Sequence, residues 1–237
     1  NNMQQSTVPK EVDPLYVAEI LPTGEMVLTG YVMNNTIISG EGTVSGENIS
    51  IELPETVDTE GILIVTDKIG KIDKVITIPS ESGANMIVHH YKTDDGYILI
   101  GQYIGNIHIP AEDTVNNKEI ILEQDTLPRS AAPDVSLFIV KVTNEGKFEY
   151  AMDLGNVGDI LEPEIFQQFS ELGMLGTKDN NFAFKMIVPE EITIPAEMTV
   201  TNEEIVLEAG QIVEFVIGSE GKFVEINKIF TKAELYN

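Results

Sequence analysis

The chain contains one stretch of sequence twice. Residues 107–123 (IHIPAEDTVNNKEIILE) and residues 192–208 (ITIPAEMTVTNEEIVLE) are identical at 12 of 17 aligned positions, without a gap. A weaker third copy is predicted at residues 51–64, and each copy is later followed by Gly-Lys and an apolar residue. Such internal similarity indicates that one structural unit has been used three times. The repeat constrains the architecture of the chain, but it carries no chemistry.

A proline ends a short apolar run in each copy, at Pro54, Pro110 and Pro195. Proline has no N–H to donate to a β-ladder, so it ends strand pairing or lies on an edge. We interpret the motif as a corner between two strands. Pro110 and Pro195 are therefore predicted to lie at equivalent strand ends.

Runs rich in β-branched residues dominate the chain, and several of them flank turn sequences. LYVAEI and EMVLTGYV flank Leu-Pro-Thr-Gly at 21–24, and MIVHHYK and YILIGQYI flank Thr-Asp-Asp-Gly at 93–96. Turn residues between such runs predict β-hairpins. The nearly continuous apolar run at 135–142 predicts a central strand. We predict a mostly β fold of tandem antiparallel β-sandwich or β-barrel-like repeat units.

The predicted units are separated by one insertion. The sequence EPEIFQQFSEL predicts a single short α-helix at about 161–173, with Pro163 in its first turn and Gly173 at its end. The predicted segments are an extended N-terminal arm (1–14), β unit 1 (15–78), β unit 2 (79–152), the insertion with its helix (153–189), and a partial β unit 3 with a C-terminal turn (190–237).

The chain is strongly acidic, with 39 acidic and 14 basic residues and a formal net charge of −25. Such a field repels phosphates and anionic head groups, so no nucleic-acid partner is expected. No run approaches the ~20 apolar residues of a membrane-spanning helix, so no membrane insertion is expected. The chain has no cysteine, which excludes disulfides and thiolate chemistry within it.

The three histidines do not suggest a metal centre. His89 and His90 are consecutive on a predicted strand, so they are expected to point to opposite faces and not to share one ion. His108 could join one of them only if the fold brought two hairpins together. A catalytic zinc ion uses three protein ligands in a tetrahedral array. We therefore predict no catalytic residue and no bound transition metal.

Calcium is the one cofactor that the loops suggest. Calcium takes six to eight oxygen ligands and binds in oxygen-rich loops. Turns also favour Asp and Asn for reasons of backbone conformation, so the same residues have a structural explanation. The calcium candidates are Asp94, Asp95, Asp179 and Asn180.

Tyrosines are the candidate ligand-binding residues. Tyr91, Tyr97 and Tyr103 lie in one predicted hairpin, and a tyrosine ring offers a flat amphipathic platform for a sugar. Tyrosine is also a common strand residue, so packing alone accounts for the same pattern.

The leading hypothesis is a non-enzymatic structural or interaction protein at an extracellular, cell-surface or virion location, such as a decoration or fibre-like component. Its expected partner is another protein or another copy of itself, contacted through the arm at 1–14. One alternative is a module that binds a carbohydrate or another cell-surface ligand. A further alternative is a glycan-active enzyme with paired carboxylates, whose separation the sequence does not give.

Overall fold

The structure is a computed structural model that describes residues 17–124, 135–154, 175–188 and 190–231. This part of the chain is mostly β, with several sheets and three short 3-10 helices, and within it no barrel closes. The predicted helix at 161–173, the arm at 1–14 and the C-terminal turn lie outside the described residues.

One order of elements occurs three times along the chain. We call the three sets of elements modules. Module 1 contains β1 (Val17–Ile20), β2 (Met26–Val32), β3 (Thr36–Ile38), the 3-10 helix η1 (Gly40–Gly42), β4 (Ile49–Ile51), β5 (Val57–Thr66) and β6 (Ile72–Thr77). Module 2 contains β7 (Gly83–Lys92), β8 (Gly96–Ile109), η2 (Ala111–Asp113), β9 (Ile120–Glu123), β10 (Ser136–Thr143) and β11 (Phe148–Asp153). Module 3 contains β12 (Leu175–Lys178), β13 (Asn181–Ile187), β14 (Ile192–Ile194), η3 (Ala196–Met198), β15 (Ile205–Leu207), β16 (Gln211–Ile217) and β17 (Phe223–Thr231).

The strand pairings also recur. Each module has four antiparallel strands, in the orders β1-β2-β5-β6, β7-β8-β10-β11 and β12-β13-β16-β17. Each also has a short two-stranded ribbon, formed by β3 with β4, by the end of β8 with β9, and by β14 with β15. A short parallel pairing between β5 and the start of β7 joins the strands of modules 1 and 2 into one nine-stranded sheet.

A buried threonine follows each 3-10 helix. Thr43, Thr114 and Thr199 each form an isolated parallel bridge, and their partners are the apolar residues of the three Gly-Lys-apolar steps: Ile72, Phe148 and Phe223. The Oγ1 of Thr114 lies 2.8 Å from the carbonyl oxygens of both Ala111 and Lys118. This hydroxyl therefore ties the two ends of the ribbon loop together.

The first copy of the motif lies at 36–52 and not at 51–64. Ser39 caps η1 in module 1, where Pro110 and Pro195 cap η2 and η3 at the ends of β8 and β14, as predicted for those two prolines. The feature that the three loops share is a residue with positive φ three positions after the threonine, namely Gly46 (77°), Asn117 (56°) and Asn202 (54°). The prediction of a copy at 51–64 relied on the position of its proline. The loop conformation that the three copies share depends instead on the threonine and on this left-handed residue.

The predicted insertion at 153–189 is in part sheet. β12 and β13 fall within it, and β13 pairs with β16 along its length. From Leu175 onward the chain therefore belongs to module 3, which consequently has the same four sheet strands as the other two modules.

The three modules are layered, with module 2 in the middle. Apolar residues of β10 alternate between two cores, as expected for a strand that pairs on both sides and is buried on both faces. Phe138, Val140 and Val142 contribute to a core with Leu63 and Val65 of module 1. Leu137 and Ile139 contribute to a second core with module 3. Each core is also filled by the ribbon of the later module, and a smaller third core lies between β5 and the ribbon of module 1.

Three positions on the outward face of module 3 are polar where module 2 has apolar residues, whereas Ile212 and Val216 on the same face are buried. The turn hydrogen bonds from Thr143 N to Lys147 O and from Gly218 N to Lys222 O align β10 with β16. With this alignment and the strand registers, Lys185, Glu214 and Asn227 take the positions of Ile100, Ile139 and Met152. Lys178 forms ion pairs with Glu225 (2.6 Å) and Glu214 (3.4 Å) at this face.

Candidate functional site

A polar groove lies between modules 2 and 3, where their turns meet. It consists of two cavities of about 300 and 210 Å³, and both are lined by Asp95 and Asn180. We call it the interlayer groove. Its other lining residues include Tyr91, Lys141, Glu149, Tyr150, Phe182 and Ser219.

Two hairpin turns form the mouth of the groove. The β7–β8 turn closes with a hydrogen bond from Thr93 N to Gly96 O, and Thr93 Oγ1 donates to Asp95 Oδ1 at 2.9 Å. The β12–β13 turn places Asp179 and Asn180 at φ 50° and 65°. Such a two-residue hairpin turn requires left-handed backbone at both positions, and Asp and Asn tolerate it better than most residues. Turn chemistry thus explains both residues without a ligand.

Lys141 is the charged centre of the groove. Its Nζ lies 2.9 Å from Asp95 Oδ2 and 3.1 Å from Glu149 Oε2, and its side chain is 9% exposed. Burial works to lower the pKa of Lys141, but hydrogen bonds and the charges of the two carboxylates raise it overall. Burial likewise works to raise the pKa of Asp95, and hydrogen bonds from Lys141 and Thr93 lower it overall. Lys141 and Asp95 are therefore held in their charged forms at neutral pH.

Tyr150 lines the smaller cavity of the groove, and its hydroxyl has no hydrogen-bond partner among the residues that the structure describes. The residue is 4% exposed, and among the described residues its hydroxyl makes no hydrogen bond. Burial raises the pKa of Tyr150, and the negative charges of Glu149 and Asp95 raise it further. A buried hydroxyl without a partner costs about 1–3 kcal/mol. Within the described ranges, the hydrogen-bonding capacity of this hydroxyl is therefore unused.

The structure brings three of the four calcium candidates together. Asp94, Asp95 and Asn180 line the groove, whereas Asp179 is placed in the adjoining turn. Each carboxylate oxygen of Asp95 already accepts a hydrogen bond. Within the described ranges, no three His, Cys, Asp or Glu side chains are grouped so that they could hold a metal ion. Calcium binding stays a prediction that these contacts do not support.

The structure separates the three candidate tyrosines. Tyr91 borders the groove, and its ring centroid lies 5.8 Å from that of Phe182. Tyr97 and Tyr103 are 4% and 1% exposed in the core between modules 1 and 2. Tyr103 also donates a hydrogen bond to Asp153 Oδ2 at 2.7 Å. The three rings therefore do not form one exposed platform.

The prediction that His89 and His90 point to opposite faces is wrong. The register of β7 against β8 shifts between Ile87 and His89, which indicates a β-bulge at Val88. The two rings consequently stack, with centroids 6.1 Å apart and planes at 16°. His90 contacts Glu19 and Thr29, at 2.8 and 3.0 Å.

His89 and His108 differ in their surroundings. In the described part of the chain, both ring nitrogens of buried His89 lack a hydrogen-bond partner, and burial lowers its pKa to about 4. His108 is placed between Glu81 (2.8 Å) and Glu119 (3.1 Å), and a hydrogen bond with Glu81 is the main cause of its raised pKa. Neither histidine borders the interlayer groove.

Sequence reasoning missed Lys141, Glu149, Tyr150 and Ser219. The sequence does contain a signal for Lys141, because it is the one charged residue within the apolar strand SLFIVKVT. The equivalent residue of β5 is Val65, which is buried between modules 1 and 2. A lone charge in such a strand requires partners, and here they are the two carboxylates of the groove.

Comparison with protein-family models, with curated proteins and with solved structures found no match. In the described part of the chain, no helix combines the length and the apolar character that crossing a membrane requires.

Proposed function

We propose that the protein is a non-enzymatic structural or interaction component built from three copies of one β module, at residues 17–77, 83–153 and 175–231. The observation that carries this proposal is the threefold recurrence of one set of pairings, down to the threonine bridges at Thr43, Thr114 and Thr199. A repeated element that serves as scaffold needs only packing residues at its fixed positions, and those are the positions that recur.

The shared cores suit a rigid component. The core between modules 2 and 3 combines residues of β10, the ribbon β14–β15 and β16. A hinge between these modules would expose that core to water, at about 25 cal/mol per Å² of apolar surface. Three modules joined in this way act as one stiff body, which fits a spacer, a decoration or part of an appendage at a cell surface or on a virus particle.

The acidic surface and the arm fit assembly with a protein partner. A net charge of −25 disfavours indiscriminate association between free copies. Among the described residues, β1 and β12 each pair with a strand on one side only, and an extended segment can add to such an edge. We propose that residues 1–14 attach the chain to a second copy or to another protein.

Light scattering tests this assembly. The intact chain is expected to assemble into a complex of defined mass, and the fraction assembled is expected to rise with concentration. The chain lacking residues 1–14 is expected to remain a monomer. Circular dichroism of both forms serves as the control for folding. A monomeric intact chain at every concentration would contradict self-assembly. Assembly that survives the truncation would contradict the role of the arm.

The carboxylates of the groove support the alternative function, a glycan-active enzyme, less well than they support a binding role. A general acid needs a raised pKa, whereas Lys141 keeps the pKa of Asp95 low. Asp95 and Glu149 also pair with the same ammonium group. This arrangement favours a binding role for the two side chains over acid catalysis.

A further inference from the structure

We infer that the interlayer groove is a binding site for one ring of a neutral sugar, with Asn180, Asp95 and the Tyr150 hydroxyl as its polar contacts. This inference goes beyond the structural role proposed above and does not depend on it. The groove, and not the exposed tyrosine platform expected from the sequence, supplies the site.

The groove is specific to one junction of the molecule. It opens between modules 2 and 3, where Lys141 replaces the apolar residue that module 1 has at Val65. Lys141 forms ion pairs with Asp95 of the β7–β8 turn and with Glu149 of β11. The junction between modules 1 and 2 has the same strands but an apolar residue at this position, so layering alone does not produce the polar groove.

The polar lining matches hydroxyl groups better than ions. Both carboxylates near Lys141 are paired with its ammonium group, so Asp95 and Glu149 do not form a free acidic cluster for a cation. An anion is repelled by the overall charge of −25. Carboxylate oxygens accept and amide groups both accept and donate, which is what a ring bearing several hydroxyls requires.

The inner wall supplies the apolar part of such a site. Tyr91 borders the larger cavity, and its ring lies against that of Phe182, which is 2% exposed, with centroids 5.8 Å apart and planes inclined at 42°. The apolar face of a sugar ring packs on a ring such as that of Tyr91. A cavity of about 300 Å³ is at the small end of ligand sites, which suits a single ring.

The Tyr150 hydroxyl is the observation that points to a ligand. It is buried, its residue lines the smaller cavity together with Glu149 and Asp95, and it has no hydrogen-bond partner in the described part of the chain. Phenylalanine would pack in the same core without an unused hydroxyl. A hydroxyl kept at this position gains a function when a ligand hydroxyl enters the groove and pairs with it.

Amide NMR of the full chain tests the inference, with glucose, galactose, mannose and N-acetylglucosamine titrated separately. At least one of them is expected to shift the amides of residues 91–95, 149–150 and 177–182, and no others. Asn180→Gly keeps the left-handed turn and is expected to weaken binding about tenfold. Asn202→Gly, at a left-handed position remote from the groove, is the matched control and leaves the affinity unchanged.

Tyr150→Phe separates a binding role from a packing role. This variant is expected to raise the melting temperature, because the unused hydroxyl is gone, and to weaken sugar binding several-fold. Unchanged affinity in Tyr150→Phe overturns the assignment of the hydroxyl. The inference as a whole is overturned if none of the four sugars shifts these amides, if the shifts fall elsewhere, or if calcium chloride alone produces them.

Discussion

Glu214 stands at the position in β16 that Ile139 holds in β10, and the two side chains point from equivalent faces of their sheets. Ile139 is fully buried against module 3, whereas the carboxylate of Glu214 lies 3.4 Å from the ammonium group of Lys178 on the outward face. Polar side chains on the outer face of a module favour the solubility of a stacked protein.

Placing a glutamate at position 139 and an isoleucine at position 214 is expected to change the free energy of unfolding by unequal amounts. Ile139→Glu places an unpaired charge in the core and is expected to cost about 4 kcal/mol or more. Glu214→Ile changes a partly exposed position and is expected to alter stability by less than about 1 kcal/mol, since Lys178 keeps its pair with Glu225. Urea denaturation measures both. Similar losses for the two variants would show that the outward face is covered.

The threonine after η2 is expected to be essential for its ribbon. Thr114→Val removes the hydroxyl that contacts the carbonyl oxygens of Ala111 and Lys118, and it also removes the acceptor of the Lys118 N–H. The loss is expected to be about 1 kcal/mol, because the hydrogen bonds of the Thr114 hydroxyl to these partly buried loop groups are lost. Thr193→Val, at an exposed position of β14, is the control and changes stability by less than about 0.5 kcal/mol. A Thr114→Val variant as stable as the wild type would contradict the bridging role.

Gly101 is expected to tolerate no side chain. A Cβ atom there would lie 2.1 Å from the carbonyl oxygen of Met86 and 2.4 Å from the ring of Phe138. Gly101→Ala therefore forces β7 and β8 apart and is expected to cost about 3 kcal/mol. Gly42→Ala is the matched control, since nothing lies within 4 Å of its Cβ position. Thermal unfolding distinguishes the two, and equal melting temperatures would contradict the close approach of the backbones.

The stacked histidines predict a loss of stability in acid. Burial lowers the pKa of His89 to about 4, against about 6.5 in the unfolded chain. Between these values the unfolded chain binds a proton that the folded chain does not, so the free energy of unfolding falls as the pH decreases. The expected loss from His89 is about 2 kcal/mol between pH 7 and pH 5.

Urea denaturation at the two pH values measures this loss. His89→Met is expected to reduce it, and the lowered pKa of buried His90 accounts for part of what remains. His108→Gln is the control with the opposite sign. The folded-state pKa of His108 is raised, so its contribution is present at low pH and is lost as the pH rises through that value. An unchanged acid-side loss in His89→Met would contradict the prediction.

Local sequence signals predicted the features that depend on neighbours along the chain. The turn at 93–96, the strand-ending Pro110 and Pro195 and the central strand β10 follow from proline, glycine and apolar patterning, and the structure contains all of them. These features need no knowledge of tertiary contacts, because backbone sterics and missing N–H groups determine them.

The features that were missed depend on contacts between modules. The stacking of His89 on His90 follows from a β-bulge that the sequence of β7 does not predict. The groove around Lys141 exists because residues 95 and 149, more than fifty positions apart, meet at one ammonium group. Ser39 replaces proline in the first motif, so an alignment that depends on proline finds the wrong segment.

The polar side chains on the outward face of module 3 determine where a further module could pack. A further copy of module 2 can be inserted before module 3, because each new layer would find an apolar face on one side and a ribbon on the other. The same copy stacked on the outward face of module 3 would meet Lys185, Glu214 and Asn227 and would have to bury them. A layer inserted between modules 2 and 3 therefore keeps apolar surfaces in contact, whereas a layer on the outward face of module 3 loses the hydration of these three side chains.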